Sequence, residues 1–215
     1  MARAIIWLFD LDNTLHNASA HIFPHINRSM TDYLMQHLAL EREQADALRS
    51  HYWKRYGATL LGLMRHHGTD PDHFLEHTHR FEHLAPLMVF DRALNHLLRR
   101  LPGRKIVFSN GPRRYARAVL GAMGIHRHFD DVFGIEQMHY HPKPGVQAYR
   151  ALLREHRLVA QRCVLVEDSA ENLRTAKRLG MKTVLVGSTL KQPAYVDVKI
   201  RSILELRRIA AHLPC

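Results

Sequence analysis

The sequence has little cysteine and no long hydrophobic run. Cys163 and Cys215 are its only cysteines, which argues against a disulfide framework, and neither has the spacing of a metal-ligand pair. The longest apolar stretches are the length of a strand and are interrupted by charge, so no transmembrane helix is predicted. The N-terminus lacks a basic region followed by a cleavable apolar segment. We therefore expect a cytoplasmic protein with no membrane partner.

Acidic residues are scarce relative to basic ones. The sequence contains 20 Asp and Glu against 31 Lys and Arg, a formal net charge of +11 at pH 7. This excess favours an anionic partner, and its sign alone fits nucleic acid, an acidic surface or a phosphorylated small molecule. The basic residues are scattered along the chain, with no Lys and Arg tract interleaved with aromatics of the kind that follows a nucleic-acid backbone. We expect a solvated basic surface and do not favour nucleic acid as the partner.

The 18 histidines raise the hypothesis of a metal site. Close pairs such as His66-His67, His77/His79 and His126/His128 have spacings that do not stack on one face of a helix. We therefore expect the histidines mainly at the surface.

The opening segment places two carboxylates at the end of an apolar run. Residues 4–9 (AIIWLF) are hydrophobic, and DLDNTL follows at residues 10–15. This pattern is typical of a buried strand in a parallel sheet, whose carboxyl edge is where ligands of such sheets bind. Asp10 and Asp12 lie two apart, so on an extended backbone they share a face while Leu11 points to the core. The pair suits a nucleophile and a proton donor, although a polar strand end followed by an Asn-Thr turn fits this stretch equally well.

The rest of the chain predicts an α/β fold with an insertion. Residues 16–88 have helical periodicity throughout, whereas strands and helices alternate from residue 89 onward. We predict a doubly wound, Rossmann-like parallel sheet core formed by 1–15 and 89–215, with a helical cap at 16–88 inserted after the first strand.

Four polar clusters follow predicted strand ends and are expected to meet at one edge of the sheet. A carboxylate nucleophile can form an aspartyl-phosphate, while a hydroxyl, backbone amides and a lysine can hold phosphoryl oxygens. Further carboxylates offer the hard oxygen ligands that Mg²⁺ prefers. The clusters are Asp10 with Asp12, Ser109 with Asn110 and Gly111, Lys143, and Glu167 with Asp168.

This ordered set resembles the haloacid dehalogenase superfamily of phosphatases. The matching motifs are DLDNT from Asp10, Ser109-Asn110-Gly111, Lys143 before Pro144, and Glu167-Asp168-Ser169. The resemblance implies that Asp10 is the nucleophile, Asp12 the general acid and base, and Lys143 and the Ser109 segment the phosphate-binding groups. It also implies a Mg²⁺ ion held by Asp10, the Asp12 carbonyl and Asp168. Glu167 stands where other members have Gly or Asp and is either a further ligand or a neighbour of the ligands, and Asn172 is a candidate for hydrogen bonding to the metal's water shell.

Other activities compete with a phosphatase. Dehalogenation uses the same nucleophile, but a halide leaving group needs no proton, so Asp12 favours phosphoester chemistry. A phosphosugar mutase shares the same core, and the sequence offers no direct test against it. A nucleic-acid-binding protein built on the same scaffold is the alternative from another class.

The predicted cap resembles the pyrimidine 5'-nucleotidase branch of the superfamily. Residues 52–63 (YWKRYGATLLGL) match its Tyr-x-x-x-Tyr-Gly-x-Thr-x-x-Gly-Leu pattern, although His16-Asn17 replaces a common aromatic-Pro pair. The resemblance implies a nucleoside monophosphate substrate such as UMP or CMP, with Tyr52, Tyr56 and Thr59 as cap contacts. Two tyrosines four apart are also what a core-facing helix requires. Phosphoglycolate and sugar phosphates are alternative substrates. Arg113 and Arg114 are candidate anion contacts, although a solvated helix start is the interpretation that we favour for them.

Overall fold

The computed structural model describes residues 5–188 and 192–209. Ala4, at the start of the predicted first strand, and Cys215 lie outside the described residues. The chain divides into two compact units, Met1–Asn17 together with Met88–Cys215, and Ala18–Leu87. No helix among the described residues is long and apolar enough to cross a bilayer.

A parallel sheet forms the centre of the first unit. The strands are β1 (Ile6–Phe9), β2 (Arg104–Phe108), β3 (Asp131–Phe133), β4 (Cys163–Glu167), β5 (Lys182–Val186) and β6 (Val198–Ile200). They lie side by side in the order β3-β2-β1-β4-β5-β6, and every neighbouring pair is parallel.

The position of β1 follows from its composition. Trp7, Leu8 and Phe9 are completely buried, as expected for a central strand that is covered on both faces. Phe9 is level with Val107 of β2 and Val166 of β4. The residues that follow these three strands therefore emerge at the same edge of the sheet.

Helices connect the strands of the first unit and make up the second unit. The second unit contains α1 (Ala18–Leu38), α2 (Arg42–Tyr56), α3 (Thr59–His67) and α4 (Pro71–Thr78). The first unit contains α5 (Ala93–Arg100), α6 (Arg113–Ala122), α7 (Val146–Glu155), α8 (Ala170–Arg178) and α9 (Leu206–Ile209). Helices α6, α7 and α8 each connect successive parallel strands, as crossover connections require.

Local sequence signals set the ends of the helices in the second unit. Gly57 ends α2 and Gly68 ends α3, both with left-handed backbone (φ 80° and 61°) that glycine adopts without strain. Asp70 caps α4 by accepting a hydrogen bond from the His73 N–H at 2.7 Å, and Pro71 occupies the first helical position.

The predicted fold class is confirmed: a parallel α/β sheet core with an inserted helical segment. The sequence analysis did not predict β6. This strand is only three residues long and lies at the edge of the sheet, where the alternation of Val198, Lys199 and Ile200 is a weak signal.

Candidate active site

Asp10 and Asp12 lie at the carboxyl end of β1, where the sequence predicts a reactive pair. The Asp10 N–H donates to the Val166 carbonyl at 2.9 Å and extends the pairing with β4 by one step. Asp10 and Leu11 are buried, whereas Asp12 is partly exposed. Asn13 then adopts left-handed backbone (φ 63°), so the chain turns immediately after the pair.

The Lys143 ammonium joins three of the strand ends. Its Nζ donates to Asp10 Oδ1 at 2.7 Å, to Glu167 Oε2 at 2.8 Å and to the Phe108 carbonyl at 2.7 Å. These acceptors use all three donors of an ammonium group. The Lys143 side chain is fully buried, so its charge is balanced by carboxylates and not by water.

Asn110 fixes the loop that carries Lys143. Its Nδ2 donates to the Lys143 carbonyl at 3.0 Å, and the Lys143 N–H donates to Asn110 Oδ1 at 2.8 Å. The buried Ser109 accepts from the Gly111 N–H at 3.0 Å, and the part of the chain that the structure describes holds no acceptor for its hydroxyl hydrogen. Asn110 therefore positions Lys143 with its side chain, while Ser109 retains a hydrogen to donate to an oxyanion.

Glu167 is hydrogen bonded through both carboxylate oxygens. Besides Lys143, its Oε2 accepts from Asn172 Nδ2 at 2.9 Å, and its Oε1 accepts from the N–H groups of Asp168 and Ser169, both at 3.1 Å. The predicted site residue Asn172 thus contacts a carboxylate of the site directly. Through these bonds Glu167 holds the connection between β4 and α8 in place.

Three carboxylates form a group that fits a divalent cation. Ligand oxygens of Asp10, Glu167 and Asp168 all lie within 4.8 Å of one another. The donors are hard oxygens, and Lys143 contributes one positive charge against three carboxylates, so a cation would offset the remaining repulsion. The donor set therefore suits Mg²⁺ in type and charge.

The pKa values of these groups reflect their crowding. Burial, and then the neighbouring Glu167, raise the pKa of Asp10 to about 7. Desolvation and Glu167 raise the pKa of Asp168 to about 8. Burial opposes ionisation of Glu167, but Lys143 and the other donors hold the Glu167 pKa below its usual value. Burial likewise opposes the charge of Lys143, yet the two carboxylates raise the Lys143 pKa, so the lysine stays protonated.

Asp12 has different surroundings from Asp10. Its Oδ1 accepts from the Tyr115 hydroxyl at 2.5 Å and lies 3.0 Å from His16 Nε2. Burial, and then the neighbouring Asp12, raise the pKa of Tyr115 above its usual value, so the phenol keeps its proton as a donor.

The expected cap residues lie in the second unit, where they join α2 to α3. Tyr52 is buried and hydrogen bonds with His67 Nε2 at 2.8 Å, and Thr59 is buried and donates to the Arg49 carbonyl at 3.1 Å. The Tyr56 hydroxyl hydrogen bonds with a neighbouring histidine at 2.7 Å, and the residue is partly exposed. All three stabilise the helical hairpin, and their contact with a substrate stays a prediction.

A second acidic group does not suit a cation. Asp131, Glu155 and His156 also bring ligand atoms within 4.8 Å of one another. Arg104 donates to His156 Nδ1 at 3.0 Å, so the imidazole hydrogen lies on Nε2, the nitrogen that faces Asp131. Arg113, a candidate anion contact for which the sequence analysis favours a solvated helix start, donates to Asp131. Arg113 therefore already pairs with the Asp131 carboxylate, and a hydrogen occupies the His156 nitrogen that a cation would need.

The family of the chain follows from a comparison with protein-family models. The model for haloacid dehalogenase-like hydrolases matches residues 6–180, a range that includes every strand end of the site. The chain belongs to this family. The superfamily resemblance predicted from the sequence is therefore confirmed.

One curated relative of the chain is Phosphate metabolism protein 8 of Saccharomyces cerevisiae. It is 24% identical over 199 residues, which cover 84% of this chain and 60% of that protein. The chain thus spans about 60% of the length of this curated relative.

Solved haloacid dehalogenase-like structures share the fold. A phosphatase from Thermococcus onnurineus has a TM-score of 0.66 at 21% identity, covering 95% of this chain and 97% of that one. CbbY from Rhodobacter sphaeroides, solved with phosphate, has a TM-score of 0.66 at 20% identity, covering 95% and 96%. The L-2-haloacid dehalogenase of Xanthobacter autotrophicus has a TM-score of 0.63 at 13% identity, covering 97% and 99%. Because phosphatases and dehalogenases both match, the fold alone does not choose the reaction.

The sequence analysis missed two residues of this hydrolase that contact Asp12 after β1. His16 was considered only as a departure in the predicted cap, and Tyr115 was not considered at all. His16 lies four residues after Asp12, and Tyr115 lies in the first turn of α6, just after the Ser109 segment. These places in the chain are weak signals, because neither one shows that the residue contacts Asp12.

Proposed function

We propose that the protein is a Mg²⁺-dependent phosphomonoester hydrolase that acts on small phosphorylated metabolites through an aspartyl-phosphate on Asp10. The observation that carries this proposal is Asp12, a second carboxylate beside Asp10 that is held by two side chains. A phosphoester releases an alkoxide that requires a proton, whereas a halide leaves without one. Phosphoester hydrolysis therefore needs Asp12 as a general acid for the leaving group, and dehalogenation has no such step.

Each residue has a role that its contacts support. Asp10 attacks phosphorus while Lys143, fixed by Glu167 and Asn110, offsets negative charge as it develops. Ser109 donates its hydroxyl hydrogen to a phosphoryl oxygen, together with backbone N–H groups near Gly111. Asp12 gives a proton to the leaving alcohol and later takes one from the water that hydrolyses the aspartyl-phosphate.

A metal ion completes the charge balance. Asp10, Asp168, Glu167 and the Asp12 carbonyl are the groups that we propose hold Mg²⁺. When bound, the ion supplies positive charge that reduces the repulsion between an anionic nucleophile and an anionic substrate.

For the substrate we propose a pyrimidine nucleoside 5'-monophosphate such as UMP or CMP. The support is the resemblance of residues 52–63 to the pyrimidine 5'-nucleotidase branch and the similarity to a yeast protein named for phosphate metabolism. Of the three expected contacts, Tyr56 has the most accessible side chain and is the one available to stack on a base.

The mechanism is tested with Asp10→Asn. We expect Mg²⁺-dependent phosphate release from p-nitrophenyl phosphate to fall by roughly a thousandfold or more, since removing a nucleophile typically costs at least that much. Asp32→Asn is the matched control, because Asp32 is exposed in the second unit and Arg42 is its one ion-pair partner among the described residues. Full activity of Asp10→Asn would contradict the mechanism.

The substrate is tested with a panel of phosphoesters. UMP, CMP, AMP, phosphoglycolate and hexose phosphates are compared by kcat/KM for release of inorganic phosphate, and we expect UMP and CMP to rank first. A preference for phosphoglycolate or sugars would overturn the nucleotidase proposal while leaving the chemistry intact. Isomerisation of a sugar phosphate without phosphate release would identify a mutase.

A further inference from the structure

The carboxylate of Asp12 is held at one oxygen only. Tyr115 Oη donates to Oδ1 at 2.5 Å, and His16 Nε2 contacts the same oxygen at 3.0 Å. Among the described residues, none donates a side-chain hydrogen bond to Oδ2. The Asp12 side chain is about 16% exposed. Oδ2 is therefore the oxygen of Asp12 that keeps its hydrogen-bonding capacity for a bound molecule.

The surroundings of His16 determine which of its ring nitrogens carries the hydrogen. The imidazole is fully buried, and its Nδ1 has no hydrogen-bond partner among the described residues. An unpaired buried N–H costs more than an unpaired lone pair beside apolar groups, so the hydrogen lies on Nε2 and points at Asp12. The turn through Asn13 places His16 there, and Asp12 and His16 form a bridge between their backbones.

Tyr115 is held in place just as firmly. Its residue exposure is 3%, and its ring packs on Gly111, where a Cβ would lie 2.9 Å from Tyr115 Cδ1. The ring therefore has no room to move toward the Ser109 segment. Its hydroxyl stays aimed at Asp12 from the first turn of α6.

We propose that His16 and Tyr115 are positioning residues that hold Asp12 Oδ1, so that Oδ2 is the oxygen that carries the transferred proton. This inference rests on the proposed phosphatase function. In the first step the Asp10 oxygen–phosphorus bond forms, the bond from phosphorus to the leaving oxygen breaks, and the Oδ2 proton moves to that leaving oxygen. In the second step water attacks phosphorus, the Asp10 oxygen–phosphorus bond breaks, and a water proton moves to Oδ2.

The test compares leaving groups. An alkyl phosphate such as UMP needs the proton in the first step, whereas p-nitrophenolate leaves without it. In single-turnover measurements with Mg²⁺, we expect Tyr115→Phe and His16→Phe to slow alcohol release from the alkyl ester about tenfold more than p-nitrophenol release, part of the ~10²–10⁴-fold that a general acid provides. His16→Gln keeps an N–H donor and should recover most of the loss.

The controls separate this inference from the proposed function. Tyr33→Phe removes a hydroxyl that hydrogen bonds with His73 at 2.8 Å in the second unit, and should change neither rate. Among the variants, Asp12→Asn should show the largest difference between the loss of rate on the alkyl ester and the loss of rate on p-nitrophenyl phosphate. If wild-type protein releases no phosphate from either ester, the proposed function is wrong.

A different result overturns the inference alone. The inference is wrong if wild type is active, Asp12→Asn slows the two esters unequally, and Tyr115→Phe and His16→Phe slow both esters by the same factor. The two residues would then only stabilise the fold. Should His16→Phe fail to fold, Tyr115→Phe decides the matter, since it removes a single oxygen atom.

Discussion

At the scale of single residues, Lys143 balances two buried carboxylates. Its ammonium contacts Asp10 and Glu167 at 2.7 and 2.8 Å with no exposure to solvent. Such a triad contributes little net stability as a whole, but removal of one member leaves uncompensated charge in a region of low dielectric constant.

Lys143→Met should therefore lower the free energy of unfolding by about 3–5 kcal/mol, the usual cost of breaking a buried ion pair. Urea denaturation measures this change. The double variant Lys143→Met with Glu167→Gln should regain part of the stability, because the unpaired Glu167 charge is gone. It should regain none of the activity, because the Lys143 ammonium is still missing. A free energy of unfolding equal to that of wild type in Lys143→Met would contradict the described charge balance.

Cys163 gives a second prediction for a single side chain. Burial raises the pKa of its thiol to about 12, and its Sγ donates to the Val159 carbonyl at 3.5 Å. Thiolate is the reactive form, and it is almost absent at pH 8, so iodoacetamide should not modify Cys163 in the native protein. Mass spectrometry of a Cys215→Ser background measures this, with urea-unfolded protein as the control. Rapid modification of folded protein would show that the strand opens.

The residues of the site differ in how far the sequence could predict them. Asp10 and Asp168 follow strand ends directly, and Lys143 lies in the loop beyond β3, so pattern and resemblance together predict them. Tyr115 lies 103 residues from its partner Asp12, and no local spacing relates two positions that only the parallel register brings together. The buried position of His16 likewise depends on the turn at Asn13, whose left-handed backbone is not encoded by hydrophobic periodicity.

At the scale of elements, strands with continuous apolar runs were predictable and the short edge strand β6 was not. The helix ends at Gly57, Gly68 and Asp70 were also predictable, because each is set by chemistry within a few residues. The packing of α2 against α3 was not, since Tyr52 and Tyr56 fit a substrate contact and a core position equally well on sequence alone.

Two glycines test the packing of helices directly. Gly62 of α3 lies against Tyr52, and a Cβ there would be 2.2 Å from the Tyr52 ring, whereas a Cβ at Gly121 of α6 meets open space. We expect Gly62→Ala to destabilise the protein by about 1–3 kcal/mol through overpacking. The matched change Gly121→Ala should stabilise it by roughly 0.5–1 kcal/mol, because alanine loses less backbone entropy in a helix.

Thermal unfolding of the two variants beside wild type measures these effects. If Gly62→Ala unfolds at the same temperature as Gly121→Ala, Tyr52 does not pack against Gly62 of α3.

At the scale of the whole chain, the fold alone does not indicate which reaction the protein catalyses. A phosphatase and a dehalogenase share this fold with TM-scores of 0.66 and 0.63, so the arrangement of strands and helices is compatible with either reaction. In the function that we propose, the side chains at the strand ends make the difference, above all the second carboxylate Asp12 with its donors His16 and Tyr115. The proposed mechanism is therefore covalent: phosphorus becomes bonded to Asp10.

The most direct measurement of that claim is an acid quench of a single turnover with ³²P-labelled p-nitrophenyl phosphate, followed by peptide mapping. Acid preserves an acyl phosphate long enough to locate it by mass spectrometry. We predict that label appears on the peptide that contains Asp10 and decays as inorganic phosphate is released, and that Asp10→Asn protein carries none. Phosphate release from wild type without label on that peptide, or label that persists in Asp10→Asn, would contradict the mechanism.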